Sequence, residues 1–496
     1  MFKKALSLLL TAVLALGVLP VASLAAEGCD CGVDPVIFID GLNGCDLIRD
    51  EGIPDQQRVA FPFDPARIGD IVLENRAAIW DMLDVRYSDE NRDTVMNAVL
   101  SLFPDVEMTP DGESLYNITA DWRPETRDIH RTGEYFPYRY DWRLDPYVNA
   151  AGLEAYIDHV LALTGHDKVD LLAVSLGGTV LNTYLTVYGT GRVDSCVWYC
   201  GAQTGVKIAS DVFQGHIRFD AQEVTSFLHE ATPDSFGYQV LSLLMQGLAD
   251  IGATGSVLRV ANKIMAAIAA DGSFRDLMLR SFGRMPGVWA CVDGEAYEKA
   301  KDFMFPTEAV RAENAGLIEK IDRYHYEVQA RSDAIMAQAQ RETGKIAVIA
   351  NYGYHLAPVV PDSDVMSDRL LDTAHSSCGG TFARYGDVLP AGGSVSPDRM
   401  ADASTAAFPA YTWIARGLYH GERPQAMREL FRFIFEADSQ PDVNSDARYP
   451  QYLTYDRETG ALTPQTEEAQ KQPKLAARIR TFFLTLRRFL RGLFGK

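Results

Sequence analysis

The sequence predicts an α/β protein in which a mostly parallel sheet is flanked by helices. Two short, β-rich apolar runs end in glycine-punctuated turns, PVIFIDGLNG (35–44) and KVDLLAVSLGG (168–178). VDSCVWYC (193–200) and KIAVIANYG (345–353) continue the pattern, and near-continuous apolar strands of this kind belong to parallel sheets buried on both faces. Helix-period stretches lie between them, Leu153 to Leu163 for example, and this alternation is the mark of βαβ units.

The size fits such an architecture. A chain of 496 residues that is 47% hydrophobic can bury a sizeable core, as one large domain or two to three ordinary ones. Residues 1–26 carry Lys3 and Lys4, an apolar run, and then small residues from Ala22 to Ala26. That order predicts a secretory signal peptide and a secreted or extracytoplasmic protein; an uncleaved anchor helix is the alternative, against which Gly17 and Pro20 interrupt the run. Glu27 and Gly28 precede Cys29 where a lipoprotein would have a short apolar box. Of seven cysteines, an odd count, Cys29, Cys31 and Cys45 are close enough in sequence to bridge in an oxidising compartment. Cys196 and Cys200 flank an apolar run and read as buried, inert thiols.

Residues 27–204 form the first part of the predicted core and 344–440 the second. Between them, 205–343 changes to helix-period segments such as LSLLMQGLADIG and VLRVANKIMAAIAADG, which predict a helical cap inserted into the sheet domain. The methionines and alanines there suit an ordinary core or an acyl-chain channel. Residues 441–470 are polar and proline-containing and read as a linker.

Ser175 stands where the 168–174 strand meets Gly177 and Gly178. A strand, then small-x-Ser-x-Gly, then an apolar helix is the pattern of a nucleophile elbow; here it is Ala173, Val174, Ser175, Leu176, Gly177, with a methyl group where glycine is usual. An ordinary turn is the alternative. A serine hydroxyl becomes a nucleophile when an imidazole takes its proton and a carboxylate fixes that imidazole's tautomer, and on such a sheet the order is Ser, Asp, His. Three histidines follow the fourth strand, His355, His375 and His420. His420, in the glycine-flanked GLYHG ahead of a helix, is the expected base. Asp387 in RYGDVLP is the expected acid, with Asp398 and Asp402 as rivals. Oxyanion donors are expected at the amides of Leu176, after the nucleophile, and Leu42, in the turn after the first strand.

PVIFIDGLNG, RYDWRLDP (139–146), AVSLGG, the helical insertion with MPGVW (285–289), GDVLP and a late loop histidine together resemble the lecithin:cholesterol acyltransferase family of α/β-hydrolases, from about Pro35 to Phe435. The resemblance implies an α/β-hydrolase fold with a helical cap and a Ser175, Asp387, His420 triad. It also implies oxyanion amides at Leu42 and Leu176, and acyl transfer from lipid carboxylic esters to water or to an alcohol. GDVLP lacks the Gly-Thr of the family's Gly-Asp-Gly-Thr-Val-Pro, and Val174 replaces a common histidine. A non-catalytic lipid-binding protein on a decayed hydrolase scaffold is the alternative from another class. No phosphate loop, metal cluster or nucleotide fingerprint is present, so no cofactor or metal is expected. Asp141 and Arg143 are expected to form a buried ion pair at the sheet edge.

Charge divides the chain. There are 47 Lys and Arg against 67 Asp and Glu; without Lys3, Lys4 and the eight basic residues from Lys471 to Lys496, 37 face the same 67. An acidic body therefore carries a basic tail, and nucleic acid is not an expected partner. Leu475, Ile479, Phe482, Leu486, Phe489 and Leu493 recur at helical steps within residues 471–496, among arginines. This predicts an amphipathic helix for a membrane surface; docking on the acidic body or on a protein partner are the alternatives.

Overall fold

The computed structural model describes residues 29, 32–42, 44–62, 70–71, 74–83, 88–120, 135–229 and 254–467. The predicted signal peptide (1–26) and basic tail helix (471–496) lie outside the described residues.

Eight strands form the central sheet: β1 (Val36–Ile39), β2 (Phe136–Tyr138), β3 (Val169–Val174), β4 (Val193–Tyr199), β5 (Ile346–Tyr352), β6 (Thr412–Arg416), β7 (Tyr452–Tyr455) and β8 (Leu462–Pro464). Their spatial order is β8-β7-β6-β5-β4-β3-β1-β2. All pairs are parallel except β7 with β8. Side chains alternate across a strand, and both alternating sets are buried. Ile37, Ile39, Leu171, Ala173, Trp198 and Val348 share one core with helices α1 (Pro146–Thr164), α2 (Gly177–Tyr188) and α4 (Ser332–Thr343). Phe38, Leu172, Val174, Tyr199, Ile349 and Trp413 face the other way, onto α5 (Gln425–Phe435). The expected α/β sheet with helices on both faces is therefore present.

Local chemistry sets the helix ends. The Asp145 side chain accepts the Tyr147 amide at the start of α1, Pro146 occupies the first turn, and Gly165 closes the helix with a φ of 72°, the left-handed C-terminal stop that glycine adopts readily.

Between β4 and β5 the described residues are helices and turns without a strand, and they include α3 (Ala221–His229). This insertion has its own apolar core around Trp289, Tyr297, Phe305 and Ile321. It is nevertheless fastened to the sheet domain: the Gly287 amide donates to the Arg143 carbonyl, and a Cβ at Gly287 would collide with the Trp142 carbonyl oxygen. Its last helix, α4, packs on β4 and β5 and is a crossover helix of the sheet, so the insertion ends before it and not at 343.

Residues 441–470 are not a linker. They supply β7 and β8, which extend the sheet past β6. YLTY is β-prone, but only Leu453 of β7 is buried, so a short, half-exposed strand between proline and turn residues gives a weak apolar signal. The Asp141–Arg143 pair lies beside edge strand β2 as expected. Arg143 is fully buried, donates from Nε and Nη2 to the two carboxylate oxygens at 2.9 and 2.6 Å, and also reaches the Val106 carbonyl and Ser114 Oγ. Cys29 and Cys45 are free thiols and are not joined; Cys31 lies outside the described residues. Among the described residues no helix is long and apolar enough to cross a membrane.

Candidate functional site

Ser175 directly follows β3 with a φ of 56°, a left-handed conformation that costs a non-glycine residue of order 1–3 kcal/mol and persists only where the surroundings fix it. Here three backbone bonds fix it. The Ser175 amide donates to the Tyr199 carbonyl at 3.3 Å, and its carbonyl accepts the amides of Gly178 at 3.0 Å and Ala202 at 2.9 Å. Glycine is required on both sides of the turn. A Cβ at Gly177 would strike the Ile39 carbonyl oxygen, and one at Gly41 would lie 2.6 Å from Ser175 Cβ. The β1 loop thus passes directly over the serine, and the chain leaves it into α2.

Leu176 is the N-cap residue of α2, so its amide belongs to the donor-rich end of a helix. Leu42 follows Gly41 in a turn closed by the Gly44 amide on the Gly41 carbonyl at 3.1 Å. The structure therefore brings both expected oxyanion residues to the backbone around Ser175. Asp40 accepts the Gly41 amide through Oδ1 at 2.8 Å, and its carbonyl accepts the Tyr140 hydroxyl at 2.6 Å. Burial raises the Asp40 carboxyl above the usual carboxylate range, against the pull of the Gly41 amide and of Arg423, Arg139 and His420.

His420 lies in the loop between β6 and α5. Next to it, Gly421 approaches Val174, the residue before the serine; a Cβ there would lie 3.4 Å from Val174 Cγ1. The carboxylate beside His420 is Asp368 and not Asp387. Asp368 Oδ2 is 2.7 Å from His420 Nδ1, and the His420 amide donates to the Asp368 carbonyl at 3.0 Å. Oδ1 is held by the amides of Leu370 at 3.1 Å and Leu371 at 2.7 Å. Asp368 is fully buried while His420 stays partly open. An acceptor-only carboxylate at Nδ1 places the ring proton there and leaves Nε2 free to accept one.

The other acids have different work. Asp387 is exposed in a turn where its amide meets the Arg384 carbonyl. Asp398 is buried against Tyr352, Arg416 and Gln465, and Asp402 caps a short turn through the Ser404 amide. His375 is paired with Asp372. Nothing in SDRLLDTAH marks Asp368 in the sequence; its position after the β5 strand and before His420 is the one signal, and several acids share it.

The arrangement has the parts of a serine nucleophile, with an oriented imidazole and a buried carboxylate at the same end of the sheet. Cys200 adds a fourth group: its Sγ, an Asp368 oxygen and a His420 ring nitrogen lie within 4.8 Å of one another. Comparison of the chain with known protein families and with curated proteins returns no match.

Proposed function

We propose that this protein is a serine hydrolase of the α/β-hydrolase fold, with the helical insertion as its cap, cleaving lipid carboxylic esters through an acyl-serine. The observation that carries the proposal is the left-handed Ser175 between β3 and α2, with Gly41 pressed against it, together with the His420–Asp368 pair. Ser175 Oγ attacks the ester carbonyl as His420 Nε2 takes its proton. The amides of Leu176 and Leu42 stabilise the oxyanion, each worth about 3 kcal/mol in the transition state. The imidazolium, stabilised by Asp368, then returns the proton to the leaving alcohol. Water repeats the sequence to release the acid, and a lipid alcohol in its place gives a new ester.

Lipid substrates are favoured by the resemblance, by the insertion over the sheet and by exposed apolar side chains close to the site, Leu42 and Leu370. The N-terminal 26 residues support export, and the basic tail supports attachment to an anionic membrane surface. A fluorophosphonate probe tests the core of the reading. It should label the wild type and not Ser175→Ala, with the fold of the variant unchanged by circular dichroism. An unlabelled wild type supports instead the lipid-binding reading on a decayed scaffold. Following both fatty acid and new ester from phospholipid and acylglycerol vesicles separates hydrolysis from transfer.

A further inference from the structure

The serine chemistry has no need of Cys200, yet this residue converges on it. Cys200 follows β4 with a φ of 47° and is fully buried. Its amide donates to the Ile349 carbonyl at 2.8 Å. Burial and the Asp368 carboxylate hold its thiol well above the usual range, against the opposing pull of the Gly421 and Asn351 amides. A cation in contact with the sulfur supplies the positive charge that deprotonates such a thiol.

A thiolate, an imidazole nitrogen and a carboxylate are the donors of zinc-class sites, with bonds of about 2.0–2.3 Å and hence tetrahedral ligand separations of roughly 3.4–3.8 Å. The three donors here already lie within 4.8 Å, so closure on a cation needs side-chain adjustments only. Sulfur and nitrogen exclude calcium and magnesium as preferred occupants. We propose that Cys200, Asp368 and His420 form an inhibitory site for a soft divalent cation of the zinc class.

The inhibitory part rests on the hydrolase reading; the binding part does not. Coordination takes the lone pair of His420 Nδ1, the nitrogen that faces Asp368. The ring remains neutral, so its single proton moves from Nδ1 to Nε2, where it can no longer accept the proton of Ser175. The Cys200 S–H bond breaks and its proton leaves to solvent, while Asp368 stays a carboxylate. One proton is released per cation. The dication is matched by the thiolate and the carboxylate, which leaves a neutral unit in a buried place, the condition under which charge is tolerated there.

The test uses the mature chain and Cys200→Ala, Cys200→Ser and Cys196→Ala variants. Cadmium binding is read from the sulfur-to-cadmium charge-transfer absorption, and zinc inhibition from fluorophosphonate labelling and hydrolysis of a soluble ester, each variant against its own metal-free rate. Wild type and Cys196→Ala should bind one cadmium per chain, zinc should displace it and stop labelling, and a chelator should restore both. Both Cys200 variants should lose the band and raise the half-inhibiting zinc concentration by more than the roughly 10–100-fold that losing an outer-shell partner costs. A wild type that binds no cadmium overturns the proposal. So does a band that survives in both Cys200 variants, or a zinc inhibition that they leave unmoved. A Cys200-dependent band in a protein that cleaves no ester upholds the cation site and sinks the hydrolase reading instead.

Discussion

At the scale of single residues, the decisive group is the Asp368 carboxylate. With Oδ1 tied to two amides and Oδ2 on His420, it determines which ring nitrogen carries the proton. Asp368→Asn offers an amide N–H to Nδ1 and favours the tautomer with the proton on Nε2, so kcat on a soluble ester should fall by about 10³–10⁴-fold. Asp387→Asn should stay within about twofold, because its side chain is on an exposed turn and a surface change there is worth about 0.5 kcal/mol or less. The reverse ranking would refute the assignment of the acid. Gly41→Ala makes a second point, since its Cβ would sit 2.6 Å from Ser175 Cβ. Either the serine or the loop has to move, and kcat should drop by at least about 10²-fold, as a displacement of about 1 Å at a reacting group does. The proposed serine and histidine stand out in the sequence because each sits in its own local pattern, strand-serine-glycine and a glycine-flanked loop. The carboxylate that the structure sets beside His420 does not, because its defining contact is 52 residues away and no neighbour of Asp368 announces it.

At the scale of elements, legibility followed burial. β3, β4 and β5 are buried on both faces, so their apolar runs are nearly unbroken and stand out from the sequence. β7 shows one buried residue in four and was read as linker for that reason. Its small signal conceals a substantial role. Leu453 is fully buried in the core on the α5 face, the Trp413 indole donates to the Tyr449 carbonyl at 2.9 Å, and Gln465 donates to Tyr352 and Asp398. Leu453→Asp should therefore unfold the chain or leave it insoluble, as a charge buried without a partner does, whereas Glu458→Ala in the exposed turn should shift Tm by no more than a degree or two. A second element-level expectation concerns the short helix Thr373–Ser376, capped by Asp372. Asp372 pairs with His375 and also accepts the Lys207 amide, which ties the acid-bearing loop to the first helix of the insertion. Burial disfavours the charged ring, but the Asp372 carboxylate outweighs it and raises His375 from 6.5 to about 9, with Asp293 and Glu295 adding to the effect. A raised folded-state value means that this stabilisation is complete below about pH 6.5 and is lost as pH rises through about 9. Thermal melts of wild type and His375→Gln should accordingly converge from pH 6.5 to 9.5. Parallel curves across that window would show that the pair contributes nothing to pH-dependent stability.

At the scale of the whole molecule, the charge pattern has to be reconciled with the proposed lipid substrate. Apart from the N-terminal 26 residues and the tail, 37 basic residues face 67 acidic ones, and such a body is repelled by an anionic leaflet over a screening length of about 8 Å at physiological salt. On the proposed membrane reading, the eight basic residues from Lys471 to Lys496 would act against that repulsion, each gaining about 1 kcal/mol at an anionic surface, while the apolar residues between them would add burial that salt does not screen. The two contributions separate in a flotation experiment. The mature chain should bind phosphatidylglycerol vesicles at low salt, bind them more weakly at 0.5 M NaCl, and bind phosphatidylcholine vesicles weakly at both. Removal of residues 471–496 should abolish binding and lower the rate on vesicles, yet leave the rate on a soluble ester unchanged, because Ser175, His420 and Asp368 are all upstream of the cut. A tail that instead covers an apolar surface of its own acidic body gives the opposite pattern. Its removal would then lower Tm, leave vesicle binding unchanged or stronger, and make the intact chain's stability fall with added salt.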